Sequence, residues 1–209
     1  MQQIDHLHRI TFVLCRPRHG GNVGASARAV KNMGIGGLAM VAPENYYVSE
    51  AKMFASNASD VLEGATTFDT IAEAVSGCGI VLGTTRRIKS HRIRIMTPNE
   101  AAAYILKNTG KEKVAILFGP EDNGLTSEDL AHCHAVISIP ADDKQPSLNL
   151  SQAVMIVAYE LRMAVKGALS VRSFGDASRS EVSQMFDQAM AVLDRSGFFK
   201  RNPRERVLL

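Results

Sequence analysis

The chain has 209 residues and a mass of 22.7 kDa, room for one domain of about 150–170 residues plus an appendage. A hydrophobic content of 45% and a charged content of 22% exclude disordered and fibrous chains, and a core of this size needs no disulfide or metal staple. The net charge of +3 neither requires nor excludes a polyanionic partner, while the absence of Trp and an aromatic content of 6% argue against a broad base-stacking platform.

The three cysteines, Cys15, Cys78 and Cys133, are far apart and form no CxxC pair, the usage expected of reduced thiols in a cytoplasmic protein. The first residues lack the basic-then-apolar plan of a signal peptide. The most apolar stretch, Ala153–Val165, carries Glu160 and Arg162 and is too short to span a bilayer. No membrane partner is expected.

Five nearly continuous apolar runs read as strands covered on both faces: Ile10–Cys15, Leu38–Ala42, Ile80–Leu82, Val114–Phe118 and Val136–Ile139. Helical patterns lie between them. Val23–Met33 starts after a candidate N-cap, Asn22, and stops at Gly34. Ser49–Phe54, Thr70–Val75, Asn99–Lys107 and Asn149–Lys166 follow. The alternation predicts an α/β domain over residues 1–168, built on a parallel sheet. Residues 169–209 read as a Ser/Arg/Gly-rich linker and a short C-terminal helical extension, with a helix over Arg179–Ser196 and a tail that begins a helix it does not complete.

Familiar nucleotide and metal motifs fail here. Gly20-Gly21-Asn22-Val23-Gly24 opens a helix after a strand, but its spacing is not GxGxxG. In Gly119–Thr126 a leucine, Leu125, occupies the place of the P-loop lysine, and Glu121 and Asp122 would repel a triphosphate. His132-Cys133-His134 offers three adjacent ligand types without a second cluster, so no metal site is expected. There is no GxSxG elbow.

Three polar and glycine-containing loops remain, each at the carboxyl end of a predicted strand: Asn22–Arg28, Phe118–Thr126, and Ile139-Pro140 with Ser147–Ser151. Ligands bind at such strand ends in open α/β sheets, so the loops can converge on one site, where Gly119 and Gly124 would let backbone approach a ligand. In order and content these segments, N-x-G-A-x-x-R, ILFGPEDNGLT and IP…PSLNLSQA, resemble the three motifs of the SpoU branch of the SPOUT superfamily, over about residues 9–166. Within that branch the chain is most similar to the TrmJ type, on the strength of Gly83–Arg87, the SLNLSQAV…AYELRMA segment and the C-terminal extension.

The resemblance implies an S-adenosylmethionine-dependent RNA 2′-O-ribose methyltransferase, with S-adenosylhomocysteine as product and no metal. It also implies a deep C-terminal trefoil knot, a homodimer with its site at the interface, and tRNA as substrate, methylated on ribose 32 of the anticodon loop. Another tRNA position, ribosomal RNA, and a silent RNA-binding protein are the alternatives. By this resemblance the cofactor lies against Gly83, Thr84, Thr85, Arg86, Gly119, Ile139, Ser147, Leu148 and Asn149. Arg28, Glu121, Ser147 and Asn149 match the catalytic positions, and Asn22 and Arg28 are expected beside the RNA. A guanidinium stays protonated, so Arg28 is expected to hold a phosphate and stabilise the developing alkoxide, with Glu121 orienting Arg28 or Asn149. The apolar stripe of Ala153, Val154, Ile156, Val157 and Leu161 and the helix over Arg179–Ser196 are candidate dimer surfaces, although core packing explains either stripe equally well.

Arg86, Arg87, Lys89, Arg92 and Arg94 concentrate five positive charges in nine residues without an acid, a pattern suited to tracking phosphates or to simple solvation. Replacing Arg92 and Arg94 with Ala is expected to weaken tRNA binding and flatten its salt dependence, by roughly 0.7–0.9 in the log–log slope for each phosphate that is no longer neutralised. An unchanged slope in a salt titration assigns the segment to bulk solvent.

Overall fold

The five apolar runs form the five interior strands of one parallel sheet. The structure is a computed structural model that describes residues 4–43, 48–86, 93–108, 110, 112–166 and 178–201. After a 3-10 turn at Ile4–Arg9 the chain runs through β1 (Ile10–Cys15), α1 (Gly20–Met33), β2 (Gly37–Val41), α2 (Val48–Ala55) and α3 (Ser59–Glu63). Next come β3 (Thr66–Phe68), α4 (Ile71–Val75), β4 (Cys78–Thr84), β5 (Arg94–Met96) and α5 (Pro98–Asn108). The first part ends with β6 (Lys113–Phe118), α6 (Ser127–Leu130), β7 (Ala135–Ile137) and α7 (Leu150–Lys166). Strand order is β3-β2-β1-β6-β4-β7-β5, with every pairing parallel.

Alternation along β1 divides the core. Phe12 and Leu14 face a large cluster with α1, α2, α5 and α7, whereas Val13 and Cys15 face a smaller one with Ile71, Leu117 and Leu125. Phe12 packs on Phe118 across β1 and β6, ring centres 5.1 Å apart. On α7, Val154, Val157 and Leu161 are buried in the large cluster and the helix packs against α1 and α5, whereas Ala153 and Ile156 of the same stripe are half-buried.

Four local differences from the sequence reading have physical causes. The edge strands β3 and β5 are three residues each and largely exposed, so they lack the apolar run that marks an interior strand. Arg94 therefore sits on a strand and not in a basic loop, its guanidinium 5.1 Å from the centre of the Tyr104 ring. β7 stops at Ile137, short of Ser138 and Ile139, and its last link to β5 is the Ser138 N–H donating to the Met96 carbonyl at 2.9 Å. Helix α1 begins at Gly20 with His19 as its extended N-cap, which places Asn22 inside the first turn and not at the cap.

Residues 1–168 and 169–209 are two compact units. In the second, α8 (Arg179–Arg195) starts at a Ser178–Glu181 capping box and is followed by α9 (Phe198–Arg201). Val182, Met185, Phe186 and Val192 on α8 are exposed. Among the described residues no helix is long and apolar enough to cross a membrane.

Helices α1 and α2 approach so closely at Gly24 that an added Cβ would lie 2.8 Å from the Ala55 nitrogen and 2.9 Å from the Phe54 Cβ, and nearer still to the Ala51 carbonyl oxygen. Gly24→Ala is expected to cost about 1–3 kcal/mol in urea unfolding, because backbone on a packed helix must move. Gly37→Ala, where nothing lies within 4 Å, is the control and should stay within about 0.5 kcal/mol. Equal losses at the two sites would contradict this packing account.

Candidate active site

The carboxyl ends of three neighbouring strands, β6, β4 and β7, open into a cleft with a cavity volume of about 140 Å³ that is exposed to solvent on one side. Its walls are Thr84–Arg86 after β4, Phe118–Leu125 after β6, and Ile139 with Pro146–Leu148 between β7 and α7. The β4 loop is pinned on both sides: Thr84 Oγ1 donates to the Leu117 carbonyl at 3.1 Å, and the Thr85 N–H donates to the Ile137 carbonyl at 3.0 Å. Leu125, Ile137 and Ile139 give apolar surface, and Glu121, Asp122 and Arg86 are the charged lining groups. Two carboxylates in the wall disfavour a phosphate chain, whereas apolar faces beside the hydroxyl-bearing Thr85 and Ser147 suit a purine nucleoside without one.

Glu121 stands at the amino end of α1. Its Oε1 accepts the His19 N–H at 3.2 Å and the Asn22 Nδ2 at 2.9 Å, and its Oε2 accepts the Arg18 N–H at 3.3 Å. No acidic residue occupies the first turn of α1 and His19 provides no side-chain cap, so this carboxylate supplies the negative charge that the helix end favours. Asn22 Oδ1 in turn accepts from Asn149 Nδ2 at 2.9 Å, and Asn149 Oδ1 accepts from the Ser151 N–H and Oγ. Glu121 thus reaches Asn149 through Asn22. It makes no hydrogen bond to Arg28, which is exposed on α1, outside the cleft lining and without a polar partner among the described residues.

The same loop is tied down twice more. Arg18 pairs with Asp122, both partly exposed. Arg16 ends β1 in the left-handed region (φ 49°) and forms a two-pronged ion pair with Asp129, whose side chain is 9% exposed. Asp129 also closes a capping box with Thr126 at the start of α6. Burial pushes the Asp129 carboxyl up, but the Arg16 guanidinium and the Thr126 N–H and hydroxyl outweigh it, leaving the group below its ordinary value.

Of the expected cofactor residues, Thr84, Thr85, Arg86, Gly119, Ile139, Ser147 and Leu148 line the cleft. Gly83 lies behind it, where a Cβ would meet Leu130, Cys133 and Leu125 side chains at 2.8–3.1 Å. Asn149 belongs to the chain of side-chain amides and not to the lining. At Gly119 a Cβ would come within 2.7 Å of Gly124 Cα, so the missing side chain lets the loop close on itself instead of admitting a ligand. Arg87, Lys89 and Arg92 lie outside the described residues. The sequence reading missed Arg16, Arg18 and Asp129, whose partners are more than a hundred positions away. Burial pushes the Cys15 and Cys133 thiols up to about 12. His132 and His134 are exposed, His134 Nδ1 accepts the Val81 N–H at 3.0 Å, and among the described residues no three His, Cys, Asp or Glu side chains gather as a metal site would need.

Because the native-state Asp129 carboxyl is held low, its contribution is complete above the unfolded value of about 3.9 and disappears as pH falls through the native value. Asp129→Asn is expected to cost about 1–3 kcal/mol at pH 7, between the values for exposed and buried pairs. Urea unfolding of both proteins at pH 7 and near pH 3 checks this: the difference must shrink in acid, and a constant one excludes the ion pair as its source.

The comparisons with known proteins agree with this arrangement. The model of the SpoU rRNA Methylase family matches residues 9–159. The tRNA (cytidine/uridine/adenosine-2′-O-)-methyltransferase TrmJ of Pseudomonas aeruginosa is 43% identical over 159 residues, 76% of this chain and 62% of that protein. This chain therefore spans less than two thirds of that relative's length. The Yersinia pestis (strain Pestoides F) tRNA (cytidine/uridine-2′-O-)-methyltransferase TrmJ is 40% identical over 202 residues, 93% of this chain and 79% of that protein. Among solved structures, a probable methylase family protein from Haemophilus influenzae superposes with a TM-score of 0.73 at 33% identity, covering 91% of this chain and 81% of that one. With its motif loops gathered at the ends of β1, β6, β4 and β7 and a family match over most of its length, the chain belongs to the SpoU methylase family.

Proposed function

We propose that the protein transfers a methyl group from S-adenosylmethionine to a ribose 2′-hydroxyl of tRNA, at the cytidine or uridine at position 32 of the anticodon loop. The observation that carries this reading is the cleft where β6, β4 and β7 end, whose apolar and hydroxyl-bearing walls fit an adenosine and whose carboxylates disfavour a phosphate chain. The tRNA methyltransferase activity for which the Pseudomonas and Yersinia relatives are named supports tRNA as the substrate class. Thr84–Arg86, Gly119, Ile139, Ser147 and Leu148 would hold the cofactor, which supplies an electrophilic methyl on a sulfonium.

The residues of this chain then have to orient a weak nucleophile and stabilise charge on its oxygen. Arg28, permanently charged, holds the target phosphate and stabilises the alkoxide as it develops. Ser147 presents its hydroxyl at the cleft wall, and Asn149 assists from the start of α7. Because Arg28 does not line the cleft of its own chain, a homodimer with the site at the interface is part of the proposal. So are a catalytic domain over residues 1–168, a helical extension over 169–209 and a cytoplasmic location, where tRNA is found. A trefoil-knotted threading is proposed too, supported by the strand order: β6 enters between β1 and β4, and β7 between β4 and β5.

Incubating the protein with S-adenosylmethionine and total RNA, then mapping 2′-O-methyl groups by mass spectrometry, tests the reading. One new methyl at position 32 is the expected result. A methyl elsewhere in tRNA or in ribosomal RNA redirects the substrate assignment, and no methyl at all defeats the enzymatic one. Arg28→Ala should lower the rate at least about 100-fold while cofactor affinity stays within a few-fold. A fully active variant removes Arg28 from the site.

A further inference from the structure

We infer that Asn22 is a positioning residue: held between Glu121 and Asn149, it converts the acceptor-only character of the Glu121 carboxylate into a single amide orientation at Asn149, and so sets the Ser147–Asn149 segment that leads from the cleft wall into α7. The inference rests on the reading of that cleft as the cofactor site.

A carboxamide fits the same space in two orientations that exchange its oxygen and its NH2 group. A carboxylate has no such freedom, since ionised it only accepts. Glu121 Oε1 therefore faces the NH2 of Asn22 at 2.9 Å, and the Asn22 oxygen is left to face the NH2 of Asn149, also at 2.9 Å. The Asn149 oxygen is then the atom that takes the Ser151 N–H at 2.9 Å and the Ser151 hydroxyl at 2.7 Å, in the first turn of α7. Flipping Asn22 would bring oxygen against carboxylate at one end and NH2 against NH2 at the other. One acceptor thus dictates the polarity of three links across loops that are 99 and 127 positions apart in sequence. The simpler roles fit less well. Asn22 is inside α1 and does not cap it, and both ends of its amide already have protein partners.

Asn22→Asp and the double variant Asn22→Asp, Glu121→Gln test the relay. An aspartate at position 22 sets oxygen against the Glu121 carboxylate, whereas a glutamine at 121 can donate to it, giving up the acceptor for the His19 N–H but restoring the order of donors and acceptors from position 22 to Asn149, which is why only part of the loss is regained. Asn22→Asp is expected to weaken S-adenosylhomocysteine binding in calorimetry by about tenfold, and the double variant to regain at least about threefold of that loss. A double variant that binds no better than Asn22→Asp overturns the inference. Side-chain amide NMR gives an independent reading on the unmodified protein: the Asn149 NH2 protons should exchange slowly, and exchange at the rate of a free amide also overturns it. If the unmodified protein shows no affinity for S-adenosylhomocysteine, the cofactor reading fails while the amide exchange still decides the relay.

Discussion

Glu121 receives N–H groups from the end of one loop and the start of one helix, and the surrounding site is aligned to it. Hydrogen bonds to a charged acceptor contribute about 1.5–3 kcal/mol each, and a carboxylate at a helix amino end adds roughly 0.3–1 kcal/mol. The β6–α6 loop therefore fixes where α1 begins, even though β1, not β6, leads into that helix. Two ion pairs run alongside, Arg16 with Asp129 and Arg18 with Asp122, so the loops after β1 and β6 are joined by three polar links. These strands are neighbours in the sheet, and the links continue their pairing beyond the last strand residue. The cleft inherits its rigidity from that seam.

What could be read from the sequence follows from where each segment lies. All five interior strands announced themselves, because a strand covered on both faces must be apolar at every position. Both missed strands, β3 and β5, are edges with exposed Thr66, Thr67, Arg94 and Ile95, and their composition resembles that of a loop. Asn22 looked like a cap because a cap is a local signal, and the group that serves the start of α1 comes from the loop after the neighbouring strand β6, 99 positions away in sequence. Arg28, Glu121, Ser147 and Asn149 could be singled out by motif, yet their connections could not, since no spacing rule shows that Glu121 reaches Asn149 through Asn22.

The glycines of the motifs follow the same logic. Gly119 looks like clearance for a ligand, but there, as at Gly24 and Gly83, the absent side chain makes room for the protein itself: the turn at Gly124, α2, and the Leu125–Leu130–Cys133 packing. Shape at the site is thus set from behind. The cleft is where close-packed loops end, and a methyl group added on its hidden side would displace its walls as surely as one added inside.

The last two strands of the sheet, β6 and β7, are both interior, each flanked by strands made earlier. On the ribosome the facing edges of β1 and β4 must therefore wait, without the strand that joins them, from the end of β4 at Thr84 until β6 is finished at Phe118, roughly 2–7 s at ordinary elongation rates. Both strands are nearly continuous apolar runs, and their open edges would pair readily with a neighbouring nascent strand. The order of synthesis thus sets a window, written into the topology, in which pairing between nascent chains competes with closure of the sheet.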